Sequence, residues 1–222
     1  MDVAANLYSS KERGYFSAAR LDLLEMLPPG TGLRLLELGA GNGATLRAAK
    51  SLGRASYTAG IDLVEPKPPA DGEPEIDLFL SGNVEGMDLD LPGGSFDAVL
   101  CADVLEHLVN PWRMVGLLAR SLKPGGVFLS SIPNVRNHRA LRAIVLDGDF
   151  RYADAGLLDR SHLRFFCRRN VRDLFEGAGL VVEAMGETMG AYGLRHKALD
   201  RLTLGLFHDL FVFQFLTRAR KP

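Results

Sequence analysis

The run LRLLELGAGNGATLRAAK, Leu33 to Lys50, constrains the fold more than any other part of the chain. A short apolar stretch stops at three glycines spaced every second residue, and a helical pattern begins directly after them. Gly39, Gly41 and Gly43 let a buried strand turn tightly into a helix while the bare backbone stays open to a ligand. Phosphate-bearing nucleotides use this position by resting a pyrophosphate on the helix N-terminus. Glu37 argues for something else, because a carboxylate at the strand end repels a pyrophosphate and attracts a cationic amino group. The G-x-G-x-G spacing also departs from the G-x-G-x-x-G of dinucleotide sites.

Strands and helices alternate along the chain, which predicts an α/β fold with a parallel sheet covered by helices on both faces. Residues 34–38, 58–61, 76–80, 96–101, 126–132 and 180–184 read as strands, and 44–52, 111–122 and 169–177 as helices. Lys123, Pro124 and Gly125 read as a turn before the fifth strand. Residues 11–27, with Leu21, Leu24 and Leu27 at helical spacing, read as a helix over the cleft that stops at Pro28 and Pro29. The apolar stretch 202–216 is interrupted by His208, Asp209 and Gln214, so it reads as a final strand on the core and not as a membrane segment. Between Asn134 and His162 the rhythm fails for about thirty residues, longer than an ordinary connection, and a lid is expected there. The organisation is one domain, 1–222, with an N-terminal helical cap over 1–30 and a lid or acceptor insertion over 134–168.

Composition narrows the function classes. Lys and Arg number 26 against 27 Asp and Glu, a net charge of -1, so no global field draws the chain to nucleic acid. Cys101 and Cys167 have no metal-ligand spacing and read as buried thiols in a reducing compartment. With no signal-like N-terminus and no run of ~20 apolar residues, a cytoplasmic protein without a transmembrane segment is expected.

Asp62 closes the second strand about twenty residues beyond the loop, where an acidic side chain accepts from both hydroxyls of a ribose. The segments LRLLELGAGNG, GID, GNVEGMDL, SFDAVLCADVLEHL, LKPGG and SIPN then follow in order from Leu33 to Asn134. Together they resemble the motifs of class I S-adenosylmethionine-dependent methyltransferases, in the type 11/23-like group. That resemblance implies a Rossmann-like, doubly wound sheet of seven strands with an antiparallel last strand formed by residues 211–221. It implies S-adenosyl-L-methionine as cofactor, with Glu37 near the methionine amino group, Asp62 on the ribose, Asn83 and Val84 beside the adenine, and Leu63 also among the cofactor-binding residues. Gly39, Ala40, Gly41, Gly43, Ala102 and Asp103 would line the rest of the cleft, and Tyr15 would close over it. Asn83 stands where Asp is common, and its amide oxygen can still accept from the adenine amino group.

Methyl transfer needs alignment and exclusion of water more than catalytic groups, although a hydroxyl acceptor gains from a base. Asp103, His107 and His162 are the catalytic candidates. Against this, Glu106 and His107 can serve only to orient loops, and His162 to organise its own. A metal on Glu106 and His107 is not expected, because no second Glu or His pair is visible for it to join. Residues 130–180 resemble a subgroup met in polysaccharide and cell-envelope biosynthesis. Between residues 134 and 172 nine arginines face four aspartates, which favours an anionic small-molecule or glycan acceptor. The leading expectation is O-methylation of a sugar or envelope precursor. The alternatives are a small aromatic or quinone-like acceptor, which an apolar cleft would favour, and a non-catalytic scaffold that binds the cofactor. Nucleic-acid bases are not expected, since Ala102-Asp103-Val104-Leu105 replaces the Asn-Pro-Pro-aromatic run of base amino-methyltransferases.

Overall fold

The computed structural model describes residues 19–87, 89–189, 198 and 200–222. A single helical turn, α1 (Leu21–Leu24), precedes the glycine-ended strand β1 (Leu33–Leu38), which leads into α2 (Ala44–Ser51). Then follow β2 (Ala55–Asp62), β3 (Leu78–Ser81) and β4 (Phe96–Ala102). Next come α3 (Pro111–Ser121), β5 (Leu122–Pro133), α4 (His138–Val145) and α5 (Arg168–Glu176). The chain finishes with β6 (Val181–Thr188) and β7 (Gln214–Arg220). The seven strands are ordered β3-β2-β1-β4-β5-β7-β6. β1 to β5 pair in parallel, and β7 lies antiparallel between β5 and β6.

Alternation along each strand divides the core into two layers. On one face Leu35, Leu100 and Leu129 join Leu23 and Leu24 of α1 and Leu46 and Ala49 of α2. On the other, Leu36, Val99 and Phe128 join Met114, Val115 and Leu118 of α3 and Val171, Leu174 and Phe175 of α5. Both faces of the parallel strands are therefore dry, which is why they read as continuous apolar runs. The start of α3 is fixed locally: the Asn110 side chain accepts from Arg113 N at 3.0 Å, and Pro111 occupies the first turn.

Four expectations need correction. β5 starts at Leu122, so the Lys123-Pro124-Gly125 turn lies within the strand. The register with β4 jumps there from Leu122 to Val127, and Gly125, at φ 79°, donates to Lys221 O at 2.9 Å. The stretch 202–216 is not one strand, because β7 begins only at Gln214, and Leu202, at a helix end, and Leu204 and Leu206, on the turn after it, stand 73–90% exposed. Of the helix expected over 11–27, the described residues contain α1 alone, residues 11–18 lying outside them. Cys167 is half-buried rather than buried, unlike Cys101.

The insertion holds a helix, α4, that its arginine-rich composition concealed. Its base is pinned by two buried asparagines. Asn134 Nδ2 donates to Asp209 O (2.7 Å) and Val212 O (3.0 Å), and Asn137 Nδ2 to Val212 O (2.9 Å). Asn134→Ala leaves these carbonyls short of a donor and should destabilise the fold by about 1–3 kcal/mol. Urea unfolding measures this, and a midpoint unchanged from the parent would show that the asparagine is not a fastening.

Candidate functional site

Residues delivered by the carboxyl ends of β1 to β5 converge on one crevice. The glycine turn is strapped to the end of β2: Gly39 N and Ala40 N donate to Ile61 O at 2.8 and 3.2 Å, and Gly41 N donates to Asp62 Oδ2 at 2.7 Å. Gly39 has φ 74°, and a Cβ there would collide with Val104. Gly43, also at positive φ, caps α2. Asp62 Oδ1 accepts from Val64 N at 3.3 Å, and burial raises its carboxyl above the ordinary value despite these amides.

Two cavities meet at Gly39, which lines both. The smaller, about 460 Å³, is walled by Arg20, Glu37, Ala40, Gly41, Ala102 and Asp103. Glu37 is buried there, and its Oε2 has no hydrogen-bond partner among the described residues. Burial pushes this carboxyl up to about 8, opposed by Thr45 and by the positive charge of Arg20. Asp103 has φ 53° and is held on both oxygens: Arg20 donates to Oδ2 at 2.7 Å and Gln214 to Oδ1 at 2.6 Å. Burial lifts its carboxyl against the pull of Arg20. Arg20 also donates to Ser131 Oγ at 2.8 Å and pairs with Asp22 at 2.9 Å. Sequence reasoning passed over Arg20, whose partners Asp103 and Ser131 lie far along the chain.

The larger cavity, about 680 Å³, is lined by Asp62, Leu63, Asn83 and Val84 at one end. Val104, His107, Leu108, Val109, Ser161 and Leu163 also line it. Asn83 Oδ1 accepts from Glu85 N at 3.1 Å. Glu106 and His107 sit on a short 3₁₀ turn after β4. The insertion docks on this turn: Leu163 N and Arg164 N both donate to Glu106 O (2.8 and 2.9 Å), and His107 Nδ1 meets Ser161 O at 3.0 Å. His162 thereby comes beside the pair, its ring 4.8 Å from that of His107 and its Nε2 4.0 Å from Glu106 Oε1. The pair thus gains a third metal-capable residue that no local spacing announced. Tyr15 lies outside the described residues.

None of the nine arginines between 134 and 172 lines either cavity. Arg136 and Arg168 reach Asp209, Arg142 reaches Asp147, Arg151 Asp149, Arg160 Asp154, Arg172 Glu176, and Arg164 the carbonyl of Val109. The excess positive charge seen in the sequence is turned to fastening and to the solvated surface.

Comparison with known proteins agrees with this fold. Residues 10–185 match the model of the methyltransferase domain family. The chain is similar to the ubiquinone biosynthesis O-methyltransferase of Paracidovorax citrulli, 30% identical over 177 residues that cover 72% of each chain. It is 34% identical over 140 residues to the protein of that name from Dechloromonas aromatica, covering 59% of this chain and 57% of the relative, little more than half its length. Among solved structures, an S-adenosylmethionine dependent methyltransferase from Mesorhizobium loti aligns with a TM-score of 0.63 at 25% identity, over 90% of this chain and 96% of that one. The fold is also that of Haemonchus contortus phosphoethanolamine N-methyltransferase 2 bound to S-adenosylhomocysteine, with a TM-score of 0.61, 17% identity, and coverage of 91% and 52%. No helix among the described residues is long and apolar enough to cross a membrane.

Glu37 gives the ligand-free protein a distinctive pH dependence. Its carboxyl titrates near 8 when folded and near 4.5 ordinarily. Between those values the folded state holds a proton that the unfolded chain lacks, so its contribution to stability falls as pH rises. Thermal unfolding of the parent and of Glu37→Gln across this window should show a slope in the parent that the glutamine variant lacks. Equal slopes would mean that the carboxyl is not protonated in the folded state.

Proposed function

We propose that this chain, which belongs to the methyltransferase domain family and is a class I S-adenosylmethionine-dependent methyltransferase, methylates a hydroxyl of a small, largely apolar acceptor such as a phenol. The observation that carries the acceptor class is the wall of the larger cavity, where Val104, Leu108, Val109 and Leu163 share the lining with His107, no arginine of the insertion enters, and Arg113 of α3 is its one arginine among the described residues. The relatives named as O-methyltransferases of ubiquinone biosynthesis support the same reading. A sugar or envelope precursor bearing phosphate would draw on the insertion's arginines, and most of these already hold acidic side chains.

The residues fit the cofactor as a zwitterion. Glu37, buried with an oxygen that is unpartnered among the described residues, suits the methionine ammonium, and Arg20, which lines the same cavity, suits its carboxylate. Asp62 takes the ribose hydroxyls beside Leu63, and Asn83 with Val84 the adenine. Gly39, Ala40, Gly41 and Ala102 shape the passage between the two ends, while Gly43 opens the helix behind it. Asp103, fixed by Arg20 and Gln214, is a positioning residue for the methionine end rather than a base. When bound, S-adenosylmethionine supplies a methyl group whose leaving group is a neutral thioether. The chain's task is then to hold the acceptor oxygen in line at His107 and to exclude water, which Ser161 and Leu163 of the insertion do by closing the cavity wall.

Two measurements test this. Cofactor binding should force the Glu37 proton off, so calorimetry at pH 7 in buffers of differing ionisation enthalpy should show release of about one proton per site. Glu37→Gln should release none, and proton-neutral binding by the parent would remove Glu37 from the ammonium site. Formation of S-adenosylhomocysteine should be rapid with catechols and other phenols and negligible with nucleotide sugars. Turnover of nucleotide sugars alone would replace the apolar acceptor with a glycan precursor.

A further inference from the structure

We propose that Glu106, His107 and His162 bind one divalent cation of the zinc class, placed to receive the acceptor's hydroxyl oxygen. The three side chains each offer one ligand atom, and these atoms lie within 4.8 Å of one another. Two imidazoles and a carboxylate are a donor set suited to zinc, which takes such ligands at about 2.0–2.2 Å in sites that keep one position open. Tetrahedral placement brings neighbouring donors to roughly 3.4 Å. The His162 Nε2 to Glu106 Oε1 separation of 4.0 Å therefore has to close by less than an ångström, and the widest separation, within 4.8 Å, by about 1.4 Å, which side-chain rotation supplies.

The surroundings orient these ligands. His107 Nδ1 faces Ser161 O at 3.0 Å and His162 Nδ1 faces Leu157 O at 3.3 Å. A carbonyl opposite Nδ1 favours the proton on that nitrogen and makes Nε2 the metal-binding atom, an outer-shell arrangement typical of metal-ligating histidines. The backbone is braced as well, since both amide bonds from residues 163 and 164 end on the carbonyl of Glu106 itself. Glu106 and His162 are buried, while His107 borders the large cavity, so the open position faces the acceptor.

The role, though not the binding, rests on the hydroxyl-acceptor reading. A cation of charge +2 beside one carboxylate keeps one positive charge for the acceptor, so the bound hydroxyl loses its proton to water at neutral pH. The oxygen lone pair then forms the new C–O bond as the methyl–sulfur bond breaks with its electrons remaining on sulfur. One proton is released per turnover, and the neutral ether is a weak ligand that leaves.

Titration of the metal-free protein with Co²⁺, followed by visible absorption, and with Zn²⁺, followed by calorimetry, tests the site. One equivalent should bind, and His162→Asn and Glu106→Gln should each weaken binding at least about tenfold. S-adenosylhomocysteine binding by the same variants checks that they remain folded, and His107→Asn provides a third substitution should either fail that check. Absence of uptake by the parent, or uptake undiminished in the folded variants, overturns the inference. Phenol methylation at full rate by protein that takes up no cation overturns it while leaving the methyl-transfer reading intact. Uptake at this site without methylation of any phenol supports the site and counts against the acceptor class.

Discussion

The crevice exists because β1 is flanked on one side by β2 and on the other by β4, so that the connections leave its carboxyl end in opposite directions. The gap above β1 is bordered by the turn that follows it, and that turn is built around glycines bonded to the end of β2. Five neighbouring strand ends then supply the site in sequence: Glu37, Asp62, Asn83, Asp103 and Asn134. The first four line the two cavities, and Asn134 fastens the segment after β5, whose Gly156, Ser161 and Leu163 also border them. Both core layers serve this arrangement by holding the strands in register beneath it.

Polar burial is concentrated where this geometry leaves no alternative. Glu37 cannot reach solvent from a central strand, and Asp103 is held at φ 53° with both oxygens engaged. Such groups cost stability in the ligand-free protein and become favourable when a complementary charge arrives. By contrast the exposed pairs of the insertion, such as Arg151 with Asp149 and Arg160 with Asp154, contribute little individually, because water screens them.

Much of this was legible in the sequence because strand ends coincide with punctuation. Glu37 precedes the first glycine, and Asp62 and Asn83 each follow a short apolar run. The parallel order followed from alternation, and the position of β7 from family likeness alone. What local pattern could not supply was pairing across distance. Arg20 meets Asp103 and Ser131 from 83 and 111 residues away. His162 reaches Glu106 only because backbone amides dock the insertion there. The arginines suggested an anionic ligand because their partners at Asp209 and Glu187 could not be foreseen from spacing. The bulge in β5 was read as a free turn for the same reason, its partner being Lys221 on the antiparallel neighbour.

Beyond the side chains that fasten its base, the insertion is docked at the cavity wall through the main chain. The amides of residues 163 and 164 meet the carbonyl of Glu106, and the amide of Val135 meets that of Phe166. Bonds of this kind are available to any residue but proline. Side chains facing the cavity from this segment are therefore free to change without unmooring it. A duplicated copy of the chain can drift toward a new acceptor one wall residue at a time while the frame that carries the methyl donor stays as it is, which separates the inheritance of the reaction from the inheritance of its substrate.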